Sequence, residues 1–571
     1  MLAALPLLAS AQGQMNVTVD SVGQLSRQIQ DSVKFKISEL KISGPLNGTD
    51  IKLLQQIVNR TKANQKKGEC VVTSVDLSEA TIAEDKAGMK TKADELPSGL
   101  FSGAKQLVKV ILPPTITNIS KNCFANCSGL LELEIPESVT IIDNAAFQGC
   151  ESLAAIVIPQ NVTTIGNEAF ENCKALATME IPENVTSLGF QAFNGCKALT
   201  SINIIGKISK VGNATFRSCE SLTSISLPES IQSIGNDAFR DCKSLSSIDL
   251  PDDVEELGNS AFEDCQSLST IEMASVKKVG SNAFEDCKSL ASITIDNLSK
   301  LGSGTFKNCS ALTTVNIQGS LSDINSNTFL GCTSLNNLQL PSTVKTIGSN
   351  AFEKCQSLEE IEFPTALTKI GTSAFEGCAS LREAIIPNMV KSIGSSAFKG
   401  CSSLDSVAIN GFVQEIENST FLKCNALRRV ILPTSVKKIG TKAFQECTAL
   451  QSIDLPVALT QIGDDAFEKC GSLSSIKLPV AVQSIGSDAF MECTMLSKAE
   501  LSVSLKKIGG SAFAKCPSLR EVILNSPAPP AIAKSSFKGV ISCTFWIPKN
   551  SKVLYNANKD WQKIVTIKEK L

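Results

Sequence analysis

Eighteen cysteines hold one register in this chain. They stand at 127, 150, 173, 196, 219, 242, 265, 287, 309, 332, 355, 378, 401, 424, 447, 470, 493 and 516; fifteen of the steps between them are 23 residues and two are 22. A thiol can serve as nucleophile, metal ligand or disulfide partner, and each use needs particular neighbours. A nucleophile needs a base, yet the 571 residues contain no histidine. A Cys-His or Ser-His-Asp arrangement, a histidine zinc site and a histidine pH switch are therefore excluded. No C-x-x-C occurs either, which disfavours a thiolate metal site, so no metal and no cofactor is expected. Of the other thiols, Cys70 and Cys543 lie near opposite ends, and Cys123 stands where the repeat otherwise has alanine.

The residues that travel with the cysteines define the elements that hold them. Phe precedes each by three positions, from Phe124 to Phe513, and Leu follows each by three, from Leu130 to Leu519. The full phrase reads C-x-x-L-x-x-I-x-[LI]-P-x-x-[VL]-x-x-I-G-x-x-A-F-x-x. Its piece Leu222-Ile225-Leu227 ends in the alternation of a short strand with one buried face. Pro228 and Pro251 follow such strands, and a residue without an N–H ends the ladder. The Ile-Gly pair predicts a turn, with glycine taking positive φ, and Ala-Phe places a ring inside the coil. A unit this short cannot bury its own apolar face, so neighbours must stack. The expected fold is an α/β-type repeat solenoid, a leucine-rich-repeat right-handed coil with one parallel β-sheet and 23-residue repeats, capped at both ends. Stacked thiols would then lie ~4.8 Å apart at Cα, with parallel side chains holding Cβ atoms wider than the ~3.8 Å a disulfide prefers. They are read as reduced, buried, small apolar groups. The two short steps, Cys265 to Cys287 to Cys309, also lose the proline; residues 266–309 are either a special surface or simple loop drift.

Side chains five and seven positions after each cysteine should point outward from the strands. They include Glu132, Glu134, Thr178, Glu180, Ser201, Asn203, Ser247, Asp249, Thr270 and Glu272. Further on come Asn337, Gln339, Glu360, Glu362, Glu383, Arg429, Asp454, Lys477, Lys498, Glu500 and Glu521. Acids outnumber bases eleven to three in this set. That disfavours nucleic acid, whose phosphates need Lys and Arg, as does a net charge of −2. A protein partner with a basic patch, or a calcium-bridged contact, suits the face better; the alternative is a solvated face with no ligand. The candidate binding residues are Glu132, Glu134, Glu180, Asp249, Glu272, Glu360, Glu362, Glu383 and Asp454, with Glu360, Glu362 and Glu383 the tightest cluster.

The ends leave the repeat. Residues 1–11 carry an apolar run closed by Ala9-Ser10-Ala11, the small-x-small pattern of a signal peptide; a disordered apolar leader is the alternative. Residues 15–100 alternate strand and helix signals, with a helix over 21–35 and another from 49, and form an α/β cap. Residues 101–524 are the solenoid, about 18 full repeats plus a degenerate first one with Ala104 in the cysteine position. Residues 525–571 are a degenerate repeat with Val540 in that position, then a cap in which Trp546, Tyr555 and Trp561 pack over the last coil. No stretch after the leader has the ~20 apolar residues of a helical membrane span.

The phrase "LTSISLPESIQSIGNDAFRDCKS" resembles the BspA-like leucine-rich repeats of secreted and cell-surface proteins, and the match runs over about residues 100–540. The resemblance implies an extracellular role in adhesion or host-protein binding, fibronectin and fibrinogen being ligands attributed to a family member, and it carries no catalytic motif. The expected protein is thus an exported, non-enzymatic interaction module, secreted or on the cell surface. It would meet a host extracellular-matrix or plasma protein through its concave sheet face. The alternative is a structural scaffold or spacer of the bacterial envelope. A carboxylate glycosidase needs paired acids ~5–10 Å apart inside walls, which an exposed sheet does not supply.

Overall fold

Aliphatic residues spaced three and then two apart share one buried face only where the chain runs extended. The structure, a computed structural model that describes residues 13–34, 36–59, 71–86, 89–564 and 566–570, puts them there. In most repeats the segment from five residues past the cysteine is a strand in parallel register with its counterpart one repeat on. Thr178–Ile181 pairs with Ser201–Ile204, setting Glu180 beside Asn203, and Glu383–Ile386 pairs with Ser406–Ile409. The chain divides into two compact units, Met1–Val276 and Lys277–Leu571, and the division falls within the 22-residue step from Cys265 to Cys287. The expected signal peptide, residues 1–11, lies outside the described residues.

The first unit opens with β1 (Gln14–Thr18), α1 (Leu25–Gln28), β2 (Glu39–Leu46), α2 (Gly48–Val58) and β3 (Ser74–Ile82). β1 pairs with β2, β2 with β3, and β3 with Lys109–Ile111, all parallel. The N-terminal segment therefore lengthens the solenoid's own ladder. The helix expected over 21–35 shrinks to the single turn of α1, and a carboxylate holds its start. Asp50, buried, accepts the backbone N–H groups of Gly23 at 2.6 Å, Leu25 at 2.9 Å and Asn47 at 3.1 Å. In return the Asn47 side-chain oxygen accepts the Asp50 N–H, which closes a capping box on α2.

Each unit is cored by a column of rings. Eight phenylalanines from Phe101 to Phe262 stack in the first, centroids 5.0–5.6 Å apart. In the second, twelve run from Phe284 to Phe537 at 5.1–5.6 Å. These are offset-stacking distances for aromatic pairs. The Ala-Phe turns also bond coil to coil: the Phe124 N–H donates to the Ala146 carbonyl and the Phe147 N–H to that of Ala169, each at 2.7 Å.

The expected sheet is present, and a second ladder accompanies it. The residues read as a turn before glycine form two-residue parallel strands. Ile141–Ile142, Thr164–Ile165 and Ser187–Leu188 pair in succession in the first unit. Lys438–Ile439, Gln461–Ile462, Ser484–Ile485 and Lys507–Ile508 do so in the second. Helix is scarce among the described residues, confined to α1, α2 and α3 (Lys552–Ala557) apart from a 3-10 turn at Trp561–Lys563.

The glycine that follows most second-ladder strands, with Asp143, Asn325 and Glu417 among its replacements after Ile142, Ile324 and Ile416, corrects the sequence reading. Gly166 and Gly486 are not among the positive-φ residues. A Cβ on Gly166 would instead fall 2.5 Å from the Asn144 nitrogen, and one on Gly486 would fall 2.4 Å from the Gly463 carbonyl carbon. Glycine is needed there for close approach of successive coils. Positive φ occurs elsewhere, in the residue just before cysteine, where Gly149, Gly195 and Gly377 share the conformation with Asn126, Asp241, Lys354 and Lys423. A lysine held at φ +64, as Lys423 is, pays the left-handed steric cost of ~1–2 kcal/mol, partly offset because glycine leaves a freer unfolded chain. Lys423→Gly is accordingly expected to raise stability by about 0.5–1 kcal/mol in denaturant titration; a loss of stability would contradict this account.

The C-terminal segment adds Thr544–Ile547 and then Ile567–Glu569 in parallel to Glu521–Leu524. Trp561 and Tyr555 are fully buried. Trp561 Nε1 donates to the Pro530 carbonyl at 2.7 Å and the Tyr555 hydroxyl to that of Ser526 at 2.9 Å, which pins the proline-rich loop over the last coil. Trp546 differs from the expectation: it is half-buried, opposite Ile523 on the first ladder, with the Lys568 ammonium 5.8 Å from its ring.

Candidate functional site

Alternation along the first ladder sends one set of side chains into the core and the other into solvent. Glu132, Glu134, Glu180, Asp249, Glu272, Glu360, Glu362, Glu383 and Asp454 all fall in the exposed set. In the first unit, Ser247 pairs with Thr270, so Asp249 and Glu272, two residues on, continue one column in adjacent coils. Glu180 has Asn203 beside it, and Glu132 is paired with Lys109 at 3.0 Å.

In the second unit the ladder is interrupted in the coil that carries Glu360 and Glu362, and Glu383 starts the strand Glu383–Ile386 of the next coil. Glu383 accepts a hydrogen bond from the Ser406 hydroxyl at 3.0 Å. Among the described residues, no basic side chain pairs with Glu360 or Glu362, whereas their neighbour Glu359 is bridged to Arg382 at 2.9 Å. Asp454 sits apart from this group, one coil before Lys477, in another coil without a strand. The acids are therefore not one site. Of the nine, Glu360, Glu362 and Glu383 place three carboxylates in adjacent coils, and among the described residues no basic side chain is ion-paired with Glu360 or Glu362, Arg382 being engaged by Glu359.

The described thiols are packed as core side chains. The register cysteines are buried and free, and their described Sγ bonds run to the carbonyl of the preceding coil's phenylalanine, Cys516 reaching the Ala514 carbonyl as well at 3.8 Å. Cys150 donates to Phe124 at 3.2 Å, Cys378 to Phe352 at 3.2 Å and Cys516 to Phe490 at 3.1 Å. That carbonyl also accepts a backbone N–H in its own turn, as Phe352 does from Cys355 at 3.1 Å. Burial pushes the thiols up, Cys127, Cys173 and Cys516 to about 12 and their neighbours upward as well, so the reactive thiolate is disfavoured. Among the described residues, no three Cys, Asp or Glu side chains converge to hold a metal ion.

Several surface residues escaped the sequence reading, which collected polar side chains. Val157, Ile385 and Ile431 occupy the same outward column as the acids and are 80%, 54% and 51% exposed. A shallow recess of about 480 Å3 lies on the first-unit ladder between Thr178 and Ser226, its floor set by Met179, Ile202 and Ile225. The small residues at Ser201, Ser224 and Ser226 open it, a signal visible in the sequence once the outward columns are aligned. Among the described residues, no helix is long and apolar enough to cross a membrane.

The model of the BspA-type leucine-rich repeat region matches residues 94–223, 209–336, 322–446 and 414–544. Among solved structures, the chain is similar to a leucine-rich repeat protein from Bacteroides ovatus ATCC 8483. Identity is 28% over 77% of this chain and 92% of that one, with a TM-score of 0.47. It is also similar to a leucine-rich cell surface protein from Faecalibacterium prausnitzii A2-165, at 25% identity over 64% and 86%, with a TM-score of 0.32. No curated protein matches it.

Proposed function

The chain belongs to the BspA-type leucine-rich repeat family, and from that premise we propose that it is an exported, non-enzymatic protein-interaction module that adheres to a host extracellular-matrix or plasma protein. The observation that carries the reading is the outward face of the second unit's first ladder. Glu360 and Glu362 are exposed there without a basic partner among the described residues, and Glu383 stands in the next coil. Structural ion pairs elsewhere, such as Glu376 with Lys399 at 2.7 Å, cancel their own charge. An uncompensated cluster keeps its field for a partner with a basic patch.

No wall encloses these carboxylates, which supports binding over catalysis. Glu132, Glu134, Glu180, Asp249 and Glu272 of the first unit, and Asp454 of the second, extend the acidic character of the faces on which they lie. Location at the cell surface or in the medium follows from the family reading.

Purified chain is tested on immobilised fibronectin, fibrinogen and collagen across salt concentration, beside the variant Glu360→Lys, Glu362→Lys, Glu383→Lys. Salt-sensitive binding to at least one is expected, weakened about tenfold or more in the variant. Equal binding by the variant would remove the acidic cluster from the site. Absence of binding to all three would favour a scaffold role in the envelope.

A further inference from the structure

The turn that leaves the first ladder, ten or eleven residues after each cysteine, changes character along the chain. In the first unit it carries Glu137, Gln160, Glu183, Glu229 and the pair Asp252 and Asp253, all exposed. At the same position in the second unit stand Met389, Phe412, Val457, Val480 and Val503, exposed by 55%, 65%, 72%, 69% and 47%. They come from five of six consecutive coils; the sixth, the coil of Cys424, has Thr434 and Ser435 there. At ~4.8 Å per coil the row is ~24 Å long. Core demands do not explain it, since the buried residues of these turns, Val390, Val413, Leu459 and Val482, already fill the interior.

Beside the row, two to four residues past the turn in three of the six coils, stand Lys391, Lys437, Lys506 and Lys507, exposed and without an acidic partner among the described residues. Lys438 is occupied by Glu415. The edge thus presents apolar tips in front and unpaired ammonium groups at the side. The recess between Thr178 and Ser226 and the one lined by Phe537, Val540 and Ile541 include none of these tips. A folded partner needs complementary packing around each apolar contact, whereas a fluid amphiphilic surface accepts isolated tips, and lysines near it are attracted to anionic headgroups.

We propose that the row of Met389, Phe412, Val457, Val480 and Val503, with Lys391, Lys437, Lys506 and Lys507 beside it, is a peripheral docking edge for an anionic lipid surface. The tips enter the headgroup boundary and the lysines meet the phosphates. Docking of this kind uses no membrane-spanning segment and does not involve Glu360, Glu362 or Glu383.

The full chain is sedimented with vesicles of phosphatidylcholine alone and of phosphatidylcholine mixed with phosphatidylglycerol, at low and high salt. It is expected to pellet with the mixed vesicles at low salt and to be released by high salt. The variant Phe412→Ser, Val457→Ser, Val480→Ser should bind the mixed vesicles about tenfold more weakly or worse, with an unchanged unfolding midpoint. Lys391→Gln with Lys437→Gln, Lys506→Gln and Lys507→Gln should lose the preference for phosphatidylglycerol. Glu183→Ser with Glu229→Ser, made at the matching turns of the first unit, should change neither. Failure of the parent chain to pellet with mixed vesicles, or full binding by the triple serine variant, would overturn the proposal; the first result would leave a protein as the occupant to seek.

Discussion

Raising the pH from about 8 to about 11 is expected to unfold this chain steeply, because its buried thiols hold protons that the unfolded chain gives up. An ordinary cysteine loses its proton near pH 8.5, while burial lifts Cys127, Cys173 and Cys516 to about 12 and pushes Cys355, Cys378, Cys424 and Cys470 well upward. Below the ordinary value both states keep the proton and stability does not depend on it. Between there and the folded value only the unfolded state releases it, so each thiol lowers stability by about 1.4 kcal/mol per pH unit. If five neighbouring coils open together the slope is about 7 kcal/mol per pH unit, comparable with the ~5–15 kcal/mol that holds a typical domain folded. Tyrosine does not account for such a transition, since the chain has one. Urea midpoints measured under reductant at successive pH values should collapse above about pH 9. A variant with Cys355, Cys378, Cys401, Cys424 and Cys447 changed to Ala should show a shallower fall. A midpoint that holds steady to about pH 10.5 would contradict the thiol account.

The thiol column was legible in the sequence as buried and unreactive because its register is carried by residue type alone. Phe three before and Leu three after leave each cysteine no place but the core, and the rings are stacked there within each unit, Phe124 to Phe262 in the first and Phe284 to Phe513 in the second. Strand alternation was equally plain: a Leu-x-x-Ile-x-Leu spacing fixes which side chains face outward, and all nine candidate acids do. What a single repeat cannot display is the surface of the next coil. The bond from Cys378 Sγ to the Phe352 carbonyl spans 26 residues, and no local pattern names a backbone oxygen as its partner. The second ladder was missed for a related reason. A pair such as Thr164–Ile165 is too short to read as a strand alone and becomes one only through its neighbours Ile141–Ile142 and Ser187–Leu188. The apolar turn row went unread because a search for polar side chains passes over apolar ones. Trp546, expected over the last coil, lies instead on the first ladder opposite Ile523 because its strand Thr544–Ile547 extends that ladder.

Glycine gives the clearest separation between local and neighbour-imposed constraint. Gly486 and Gly377 lie in the same unit and occupy different positions of the repeat. Gly377 has φ +74, and a Cβ there would find no atom nearer than 3.8 Å. Gly377→Ala should therefore cost only the left-handed penalty, about 1 kcal/mol. Gly486 is not a positive-φ residue, but its Cβ would lie 2.4 Å from the Asp464 nitrogen and 2.5 Å from the Gly463 carbonyl oxygen. Those are backbone atoms, and the Gly486 N–H is itself bonded to the Ile462 carbonyl at 2.9 Å, so neither coil yields without breaking the second ladder. Gly486→Ala should cost about 3 kcal/mol or more, with the loss concentrated in the coils of Cys447 and Cys470, whose backbones would collide, because each repeat touches only its neighbours. Hydrogen exchange of the amides of Ile462, Ile485 and Ile508, set beside denaturant midpoints for both variants, measures the size and the spread of the effect. If Gly377→Ala proves the costlier change, backbone dihedral outweighs coil contact and the close-approach account fails. If Gly486→Ala is costlier and its exchange rises only near the substitution, the missing side chain at Gly486 is what lets its coil rest on the one before it.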